Sequence, residues 1–461
     1  MKYDVVIIGG GSAGFSAAST AARAGARVCV VEQGLLGGEC PNWACIPTKA
    51  LLASAKRYYK ATHDLQAFGI RASNVSFSFT QIMKRKDAVV STITGSGKKL
   101  SKLANELGID VVKGHARFVS PKTVAVGKKR VSGTSFVIAT GTEAFVPPVD
   151  GLKKAGYLTF RDAVSLKKQP RSLVIIGGGP VACEFATFFS MLGTQVTLLE
   201  VAPTVLSRED GEIAALAQVQ LRELGVNVHV ATKALSAHKE GKRTRVTFQD
   251  GEKPRQDVLV DAVLVAAGKR TSVDRLGLAK AGVVLDDRGR LTTDVYQRTN
   301  VLSIFAAGDV DGGMQFTHTA HAEGAVAGYN AVTKNKRSLK KRDDRVVPRV
   351  TFVYPEVASV GITLAEAQAK KMKAEIARFP VGSLGRSVTE NHRVGLLKVV
   401  VEKKTKKILG ASMIGERAGE VIHELALAMH VGATAKDVAS MIHAFPTYSE
   451  SIAAALGVYD V

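Results

Sequence analysis

The sequence predicts an α/β protein built around two Rossmann-like dinucleotide-binding domains. Two observations carry this. A strand, a glycine-rich loop, a helix and a second strand ending in glutamate occur at the N-terminus, and the same order recurs 168 residues later. The spacing from loop to acid is also shared: Glu32 lies 23 residues after Gly9, and Glu200 lies 23 residues after Gly177.

In the first unit the apolar run Tyr3–Ile8 reads as a strand. The loop Gly9-Gly10-Gly11-Ser12-Ala13-Gly14 follows, then a helix over Phe15–Ala24 and a strand over Arg27–Val31. The second unit reads as strand Leu173–Ile176, loop Gly177-Gly178-Gly179-Pro180-Val181-Ala182, helix Cys183–Leu192 and strand Gln195–Leu199. Gly9 and Gly177 permit the tight turn after each strand. Gly11 and Gly179 let the backbone approach a pyrophosphate, and Gly14 and Ala182 keep helix and strand close. The diphosphate then sits on the helix N-terminus, where free N–H groups and the dipole favour it. Glu32 and Glu200 accept from ribose hydroxyls. A carboxylate at Glu200 repels a 2′-phosphate, and Val201 and Ala202 supply no arginine for one, so NADH is predicted over NADPH.

The remaining composition sets limits. A chain of 461 residues suggests two to four domains at about 100–200 residues each. Met1-Lys2-Tyr3-Asp4 runs straight into the first strand, so no signal or transit peptide is expected and a cytoplasmic location follows. The charge-poor stretch Leu173–Val201 reads as strand, loop, helix and strand rather than a membrane span. Four cysteines do not make a secreted disulfide framework. Cys29 in a strand-like run and Cys183 in a helical run read as buried small hydrophobes. Lys+Arg 63 against Asp+Glu 41 gives +22. The charges are scattered, which reads as a solvated basic surface. The dense runs are Lys334–Arg345, read as a linker, and Lys403–Lys407, read as a hairpin tip. Attraction to an acidic protein, nucleic acid or an anionic membrane stays open, although no aromatic-interleaved basic motif accompanies the charge and nucleic acid is the weaker case.

Cys40 and Cys45 stand apart, in Gly37-Gly38-Glu39-Cys40-Pro41-Asn42-Trp43-Ala44-Cys45-Ile46-Pro47-Thr48-Lys49. On a regular helix, residues five apart have Cα atoms ~8.7 Å apart, whereas a disulfide needs ~4.4–6.8 Å. The pair can close only through a distorted turn, and Pro41 and Pro47 disfavour a regular helix there. A strained disulfide is the more reducible kind. Two free thiols or a metal site are the alternatives. No second Cys/His pair at ligand spacing supports a zinc site, since His318 and His321 lie far along the chain.

The run Gly38-x-Cys40-x4-Cys45-x-Pro47-x-Lys49 resembles the active-site signature of the flavin-dependent pyridine nucleotide–disulfide oxidoreductases. Dihydrolipoamide dehydrogenase, glutathione reductase and mercuric reductase are members of that family. Ala139-Thr140-Gly141 resembles the first crossover out of the FAD domain, Ala266-Ala267-Gly268 the return, and Phe305-Ala306-Ala307-Gly308-Asp309 the second FAD motif. The C-terminal third resembles an α+β dimerisation domain. The resemblance implies four segments: 1–145 and 269–340 for FAD, 146–268 for NAD and 341–461 for a homodimer. It implies that Gly9, Gly11, Ser12, Ala13, Gly14, Glu32, Gly38, Lys49, Thr140, Gly141 and Asp309 hold FAD, and that Gly177, Gly179, Glu200 and Gly268 hold NAD. Cys40 and Cys45 become a redox-active disulfide, with Cys45 against the flavin and Cys40 meeting the substrate. Lys49 is expected to pair with Glu184, and a helix from His318 to Ala327 to point its N-terminus at the flavin.

The sequence departs from the family at its end. Disulfide-reducing members carry His-Pro-x-x-x-x-Glu, where the partner subunit's His is acid and base. Here His443-Ala444-Phe445-Pro446-Thr447-Tyr448-Ser449-Glu450 puts Phe445 before the proline. His443, Glu450 and Tyr448 are the candidate substitutes. The change demotes dihydrolipoamide dehydrogenase and glutathione reductase. It favours mercuric reductase, but that enzyme's C-terminal vicinal cysteines and N-terminal metal-binding extension are absent from this sequence. The expected activity is therefore electron transfer from NADH through FAD and the cysteine pair to a small-molecule acceptor: a small disulfide, a metal ion or a quinone-like oxidant. Dihydrolipoamide dehydrogenase with rerouted proton transfer, a mercuric reductase core and an FAD-containing redox-sensing module are the alternatives.

Overall fold

The computed structural model describes residues 2–457. The chain divides into two compact units. One comprises Met1–Ala50, Lys84–Phe145 and Lys269–Asp343; the other comprises Leu51–Met83, Val146–Gly268 and Asp344–Val461.

The first unit is organised on one sheet. Strands Asp110–Lys113, Val28–Glu32, Lys2–Ile8 and Lys129–Ile138 lie side by side, and Ile304–Ala306 also pairs with the last of them. These neighbours run parallel, with Val5 opposite Val28 and Ser135. Their inner residues form unbroken apolar runs, Val5 to Ile8 and Val28 to Val31, all buried. Such runs suit strands covered on both faces. Cys29 is one of these buried positions. Antiparallel Thr123–Val126 and Ala116–Ser120 finish the sheet.

The helix after the first strand is Ser12–Arg23, with Gly11 as its N-cap. It starts three residues before the expected Phe15, so Ser12, Ala13 and Gly14 form its first turn. In the other unit the helix is Pro180–Met191 behind Gly179, with proline at its first position. In both units the glycine loop is therefore half loop and half helix.

A second helix, Thr317–Val332, packs on Ser12–Arg23. Gly324 and Gly328, one turn apart, set the distance. A Cβ on Gly324 would lie 2.1 Å from the Ala13 carbonyl oxygen, and one on Gly328 would lie 2.3 Å from that of Ala17. The basic run from Lys334, expected as a linker, is tied down instead. The buried Asn330 side chain donates to the Lys340 carbonyl and accepts from the Lys340 N–H. Arg342 pairs with Asp311 at 3.3 Å and Glu323 at 3.8 Å. Glu323 and Asp311 thus supply counter-charge to this part of the run.

The second unit holds a parallel sheet in the order Asn227–His229, Gln195–Leu199, Ser172–Ile176, Ala262–Val265. Cys183 is buried in the helix beside it. An antiparallel sheet of Thr232–Glu240, Arg243–Asp250 and Gln256–Val260 is inserted in the chain between the strands Asn227–His229 and Ala262–Val265. Beyond residue 344 comes a five-stranded antiparallel sheet, ordered Arg349–Thr351, Glu356–Gly361, Ile408–Gly415, Leu396–Glu402, Ala374–Phe379. Helices Ala418–Val431 and Glu450–Leu456 bury Ile422, Leu425 and Ile452 in a core with Val399, Val401 and Met413 of that sheet. Lys403–Lys407 forms the turn between two of these strands, as its composition suggested. Among the described residues, no helix is long and apolar enough to cross a membrane.

The glycine pair gives a sharp expectation. Alanine favours a helix interior over glycine by about 1 kcal/mol, but here its methyl meets backbone that cannot yield, and overpacking costs about 1–3 kcal/mol. Gly324→Ala is expected to lower the melting temperature. Gly211→Ala, at a helix position with nothing within 4 Å, is the control expected to leave it unchanged or raise it. Thermal melts of the two variants decide the matter.

Candidate functional site

The cysteine segment lies on the first glycine loop because neither side has a side chain at the crossing. Gly38 has φ +65°, and a Cβ there would lie 2.9 Å from the Gly11 Cα. The Gly37 N–H donates to the Gly10 carbonyl at 2.8 Å. Beyond Gly38 the chain makes a short helix, Glu39–Trp43, breaks at Ala44 (φ −125°, ψ −94°) and restarts as Cys45–His63. Pro41 and Pro47 both stand in a first turn, where no intrahelical N–H is required. The break at Ala44 is the distortion that the spacing demanded.

Cys40 and Cys45, expected to form the redox-active disulfide, lie next to each other and are hydrogen-bonded as thiols. The Cys40 thiol is pushed well above its ordinary pKa, first by the hydrogen bond with Cys45 and then by burial. Thr317 and Lys49 pull the other way.

Cys45 is the first residue of its helix, and a helix start favours an anionic sulfur. It also meets Thr317, whose Oγ1 lies 3.5 Å from Cys45 Sγ. Thr317 is the first residue of the 16-residue helix Thr317–Val332, longer than the expected His318–Ala327. Ser12 Oγ donates to the Thr317 carbonyl at 3.0 Å, fixing that helix end to the glycine loop. Nothing in the sequence singled out Thr317.

Asp309 follows Gly308 (φ +79°). It accepts from Thr142 Oγ1 at 3.3 Å and lies 3.5 Å from Lys269 Nζ. Lys269 also pairs with Glu39 at 3.0 Å. Burial depresses the Lys269 pKa, but the Glu39 and Asp309 carboxylates more than offset this and raise it. Lys269 thus links the residue before Cys40 to Asp309. The sequence signal was its place directly after the Gly268 return, and it was passed over. Thr140 Oγ1 donates to the Ser272 carbonyl at 3.0 Å, and Gly141 has φ +66°. Lys49 stands one turn into the helix that Cys45 begins.

The two glycine loops fit a dinucleotide on the evidence of their own packing. A Cβ on Gly9 would lie 2.3 Å from the Ala139 oxygen, and one on Gly177 would lie 2.3 Å from the Ala266 oxygen. Protein backbone alone accounts for those glycines. Gly179 is different, since a Cβ there would meet nothing within 4 Å, and at Gly11 it would meet only Gly38 Cα at 3.8 Å. The bare backbone at these two positions, next to a helix N-terminus, is open enough to fit a pyrophosphate. The acids are pre-set in the same way. Glu32 accepts from the Gly10 N–H at 2.6 Å and from the Gly34 N–H. Glu200 accepts from the Ala202 N–H at 2.7 Å. Each leaves further lone pairs for a ribose.

In the second unit Glu184 is buried, 5% exposed, and accepts from the Phe352 N–H at 3.1 Å. The C-terminal candidates are each otherwise engaged. His443 Nδ1 faces the Met441 carbonyl at 3.0 Å and Nε2 faces Glu424 at 2.8 Å. Both ring nitrogens are thus engaged by neighbouring protein oxygens. Tyr448 is buried with its hydroxyl on Glu390 at 2.9 Å; burial and then that bond raise its pKa. Glu450 accepts from the Thr447 N–H at 2.7 Å, across its own helix start. Phe445 is 81% exposed, beside Ile442 at 97%. The residue that stands out to solvent is the one that cannot move a proton.

Comparison with known proteins now has a geometry to attach to. Residues 3–324 match the family model described as pyridine nucleotide-disulphide oxidoreductase. Residues 347–456 match its dimerisation domain. A mercuric reductase of Staphylococcus aureus is 34% identical over 99% of this chain and 82% of its own length. A dihydrolipoyl dehydrogenase of Geobacillus stearothermophilus is 37% identical over 98% and 94%. Among solved structures, the HOCl-induced flavoprotein disulfide reductase RclA from Escherichia coli, in its Cu(II) complex, superposes with a TM-score of 0.87 at 30% identity, covering 99% of each chain.

The open glycines separate folding from binding. Gly11→Ala and Gly179→Ala are expected to change the stability of the cofactor-free protein by less than about 1 kcal/mol. Gly11→Ala is expected to lower the FAD retained through purification, and Gly179→Ala to raise the KM for the nicotinamide cofactor. Flavin absorbance per chain and steady-state kinetics measure the two effects.

Proposed function

The chain belongs to the pyridine nucleotide-disulphide oxidoreductase family, and from that premise we propose that it uses NADH to reduce a thiophilic metal ion through Cys40 and Cys45. Members of the family are FAD-dependent enzymes that use a pyridine nucleotide. When bound, FAD takes two electrons from the nicotinamide and makes them available to the disulfide. We assign Gly9, Gly11, Ser12, Ala13, Gly14, Glu32, Gly38, Thr140, Gly141 and Asp309 to holding FAD, and Gly177, Gly179, Glu200 and Gly268 to NADH. Lys49 and Glu184 are assigned to the charged surroundings of the flavin.

Cys45, at a helix start and beside Thr317, is the sulfur that carries negative charge. Cys40 keeps its proton until the acceptor arrives. The two sulfurs then present soft ligands to a soft cation, and two electrons leave as the S–S bond forms.

Exposed Phe445 is the observation that carries this choice of acceptor. Dithiol–disulfide exchange relies on an acid–base group worth ~10²–10⁴-fold, and a phenyl ring supplies none. A metal ion accepts electrons without a proton. Two similar proteins agree in kind: one is a mercuric reductase, and RclA was solved as a Cu(II) complex. The apolar surface of Leu427, Val431, Met441, Ile442 and Phe445, together with the dimerisation-domain match, supports a homodimer. A dihydrolipoamide dehydrogenase with altered proton transfer is the second reading, favoured by the 37% identity to one such enzyme.

An anaerobic assay with NADH separates the readings. Cu(II) or Hg(II) is expected to be reduced with a higher kcat/KM than lipoamide or glutathione disulfide; the reverse order would establish the second reading. NADH is expected to outperform NADPH because of Glu200. In the same cuvette, reduced enzyme should show a long-wavelength thiolate–flavin band, and Cys45→Ser should lose it. Phe445→His is expected to raise lipoamide turnover by up to about 100-fold. An unchanged rate would show that substrate access, not the missing base, limits exchange.

A further inference from the structure

Arg342, in the basic run from Lys334, sits beside the turn that carries Asp309. That turn is Asp309–Asp311, closed by Gly308 in front and Gly312 behind, both at positive φ (+79° and +76°). Its two ends are held by buried carboxylates. At the front, the Gly308 N–H donates to Glu323 Oε2 at 2.7 Å. Glu323 is buried in the helix Thr317–Val332. A Cβ on Gly308 would lie 2.9 Å from the Ala13 Cβ, so this end also presses on the helix Ser12–Arg23. At the back is Asp311, whose side chain is 4% exposed. Its Oδ1 accepts from the Gly313 N–H at 2.9 Å, and its Oδ2 accepts from Thr293 Oγ1 at 3.4 Å.

A single guanidinium nitrogen meets both carboxylates. Arg342 Nη1 lies 3.3 Å from Asp311 Oδ2 and 3.8 Å from Glu323 Oε1. It also donates at 3.2 Å to Oε1 of the fully buried Gln297. Two buried carboxylates around one nitrogen need a cation there, since buried charge is costly without a partner. The backbone beneath the arginine is fixed as well. The Arg342 N–H donates to the Val295 carbonyl at 2.7 Å, and the Asn330 side chain brackets Lys340 two residues earlier. A long side chain that would otherwise swing freely is thus held at its base and at its tip.

Asp309 stands between these two anchored ends. Thr142 and Lys269 hold its carboxylate, and the ends of the turn hold its backbone. We propose that Arg342 is a positioning residue for FAD. Through Asp311 at one end, and through Glu323 and the Gly308 N–H at the other, it fixes the turn from which Asp309 meets the cofactor. The proposal rests on the assignment of Asp309 to FAD made above, and it adds a residue outside that set. It also gives part of the basic run a task within its own chain: a cation on the run braces the cofactor site from behind two carboxylates.

The test uses the FAD-loaded enzyme. It is mixed with excess apo-glucose oxidase, and the glucose oxidase activity that appears as FAD transfers gives the dissociation rate. Arg342→Met is expected to release FAD about 10-fold faster than wild type, the lower end of what a hydrogen bond to a charged group contributes. Asp309→Ala is expected to release it faster as well. The double variant decides the route. Once residue 309 is alanine, Arg342→Met is expected to change the rate by less than about twofold, because its effect passes through Asp309. Equal acceleration in both backgrounds would mean a general loosening of the fold and overturns the proposal, as does a wild-type rate in Arg342→Met. Arg342→Lys keeps the charge without the planar reach to two carboxylates, and an intermediate rate is expected. It takes the place of Arg342→Met in the cycle if thermal melts show that variant unfolded, and a wild-type rate there overturns the proposal in the same way. Failure of the underlying assignment reads differently: Asp309→Ala then releases FAD no faster than wild type.

Discussion

The site in the first unit depends on backbone approaching backbone around one helix, Ser12–Arg23. Gly38 lies against Gly11 at its N-terminal end, and Gly324 and Gly328 lie against Ala13 and Ala17 along its side. The first contact brings the cysteine segment to the phosphate loop. The second brings Thr317 to Cys45, because Ser12 at the start of one helix holds the carbonyl of the first residue of the other. None of these contacts involves a side chain that could rotate away. Protein interiors tolerate little change in volume, so a methyl at Gly38, Gly324 or Gly328 would force the crossing backbones apart.

Charge is then placed on that scaffold in neutralising groups. Lys269 is held between Glu39 and Asp309, and Arg342 between Asp311 and Glu323. In the second unit Lys398 sits on Asp210 at 2.6 Å, and Arg349 on Glu209 at 2.9 Å. A buried charge left alone is costly, and removing one partner of a buried pair costs more than the pair contributes. These groups therefore fix geometry more than they add stability. The net +22 belongs to the remaining, solvated lysines and arginines.

Much of this was legible in the sequence because its signals are local. The strand Gln195–Leu199 was read to the residue, since a β-branched and apolar run bounded by glycine and glutamate has one natural length. The twin loops were legible because Gly9 and Gly177 obey the same turn geometry. Both helix starts were misplaced by three residues, the first because Gly14 reads as a helix breaker although it stands in the first turn where a Cβ would strike the Gly9 carbonyl, the second because Pro180 reads as a breaker although proline suits a first helical position. Gly324 and Gly328 were overlooked for the related reason that their meaning lies in a helix 300 residues away. Thr317 and Lys269 were invisible because their partners, Cys45 and Glu39, are set by folding alone. His443 looked like a substitute base on type and nearness; only the position of Glu424 shows that its ring is already committed.

The site thus separates electrons from protons. On the electron side, the first unit brings together a cysteine pair across a distorted turn, a sulfur at a helix start and a loop of bare backbone at Gly11. The proton path cannot be the one typical of disulfide reductases, because that path needs a lone pair at position 445 and Phe445 has none. Two kinds of solution exist. Either the acceptor brings its own proton chemistry, or it requires none. At position 445 the side chain is an exposed phenyl ring, and His443, Tyr448 and Glu450 around it in sequence are held by Glu424, Glu390 and the Thr447 N–H. An acceptor that takes only electrons needs none of these groups, whereas dithiol exchange needs one of them released, and that difference is what weighs toward a metal ion in the function proposed above.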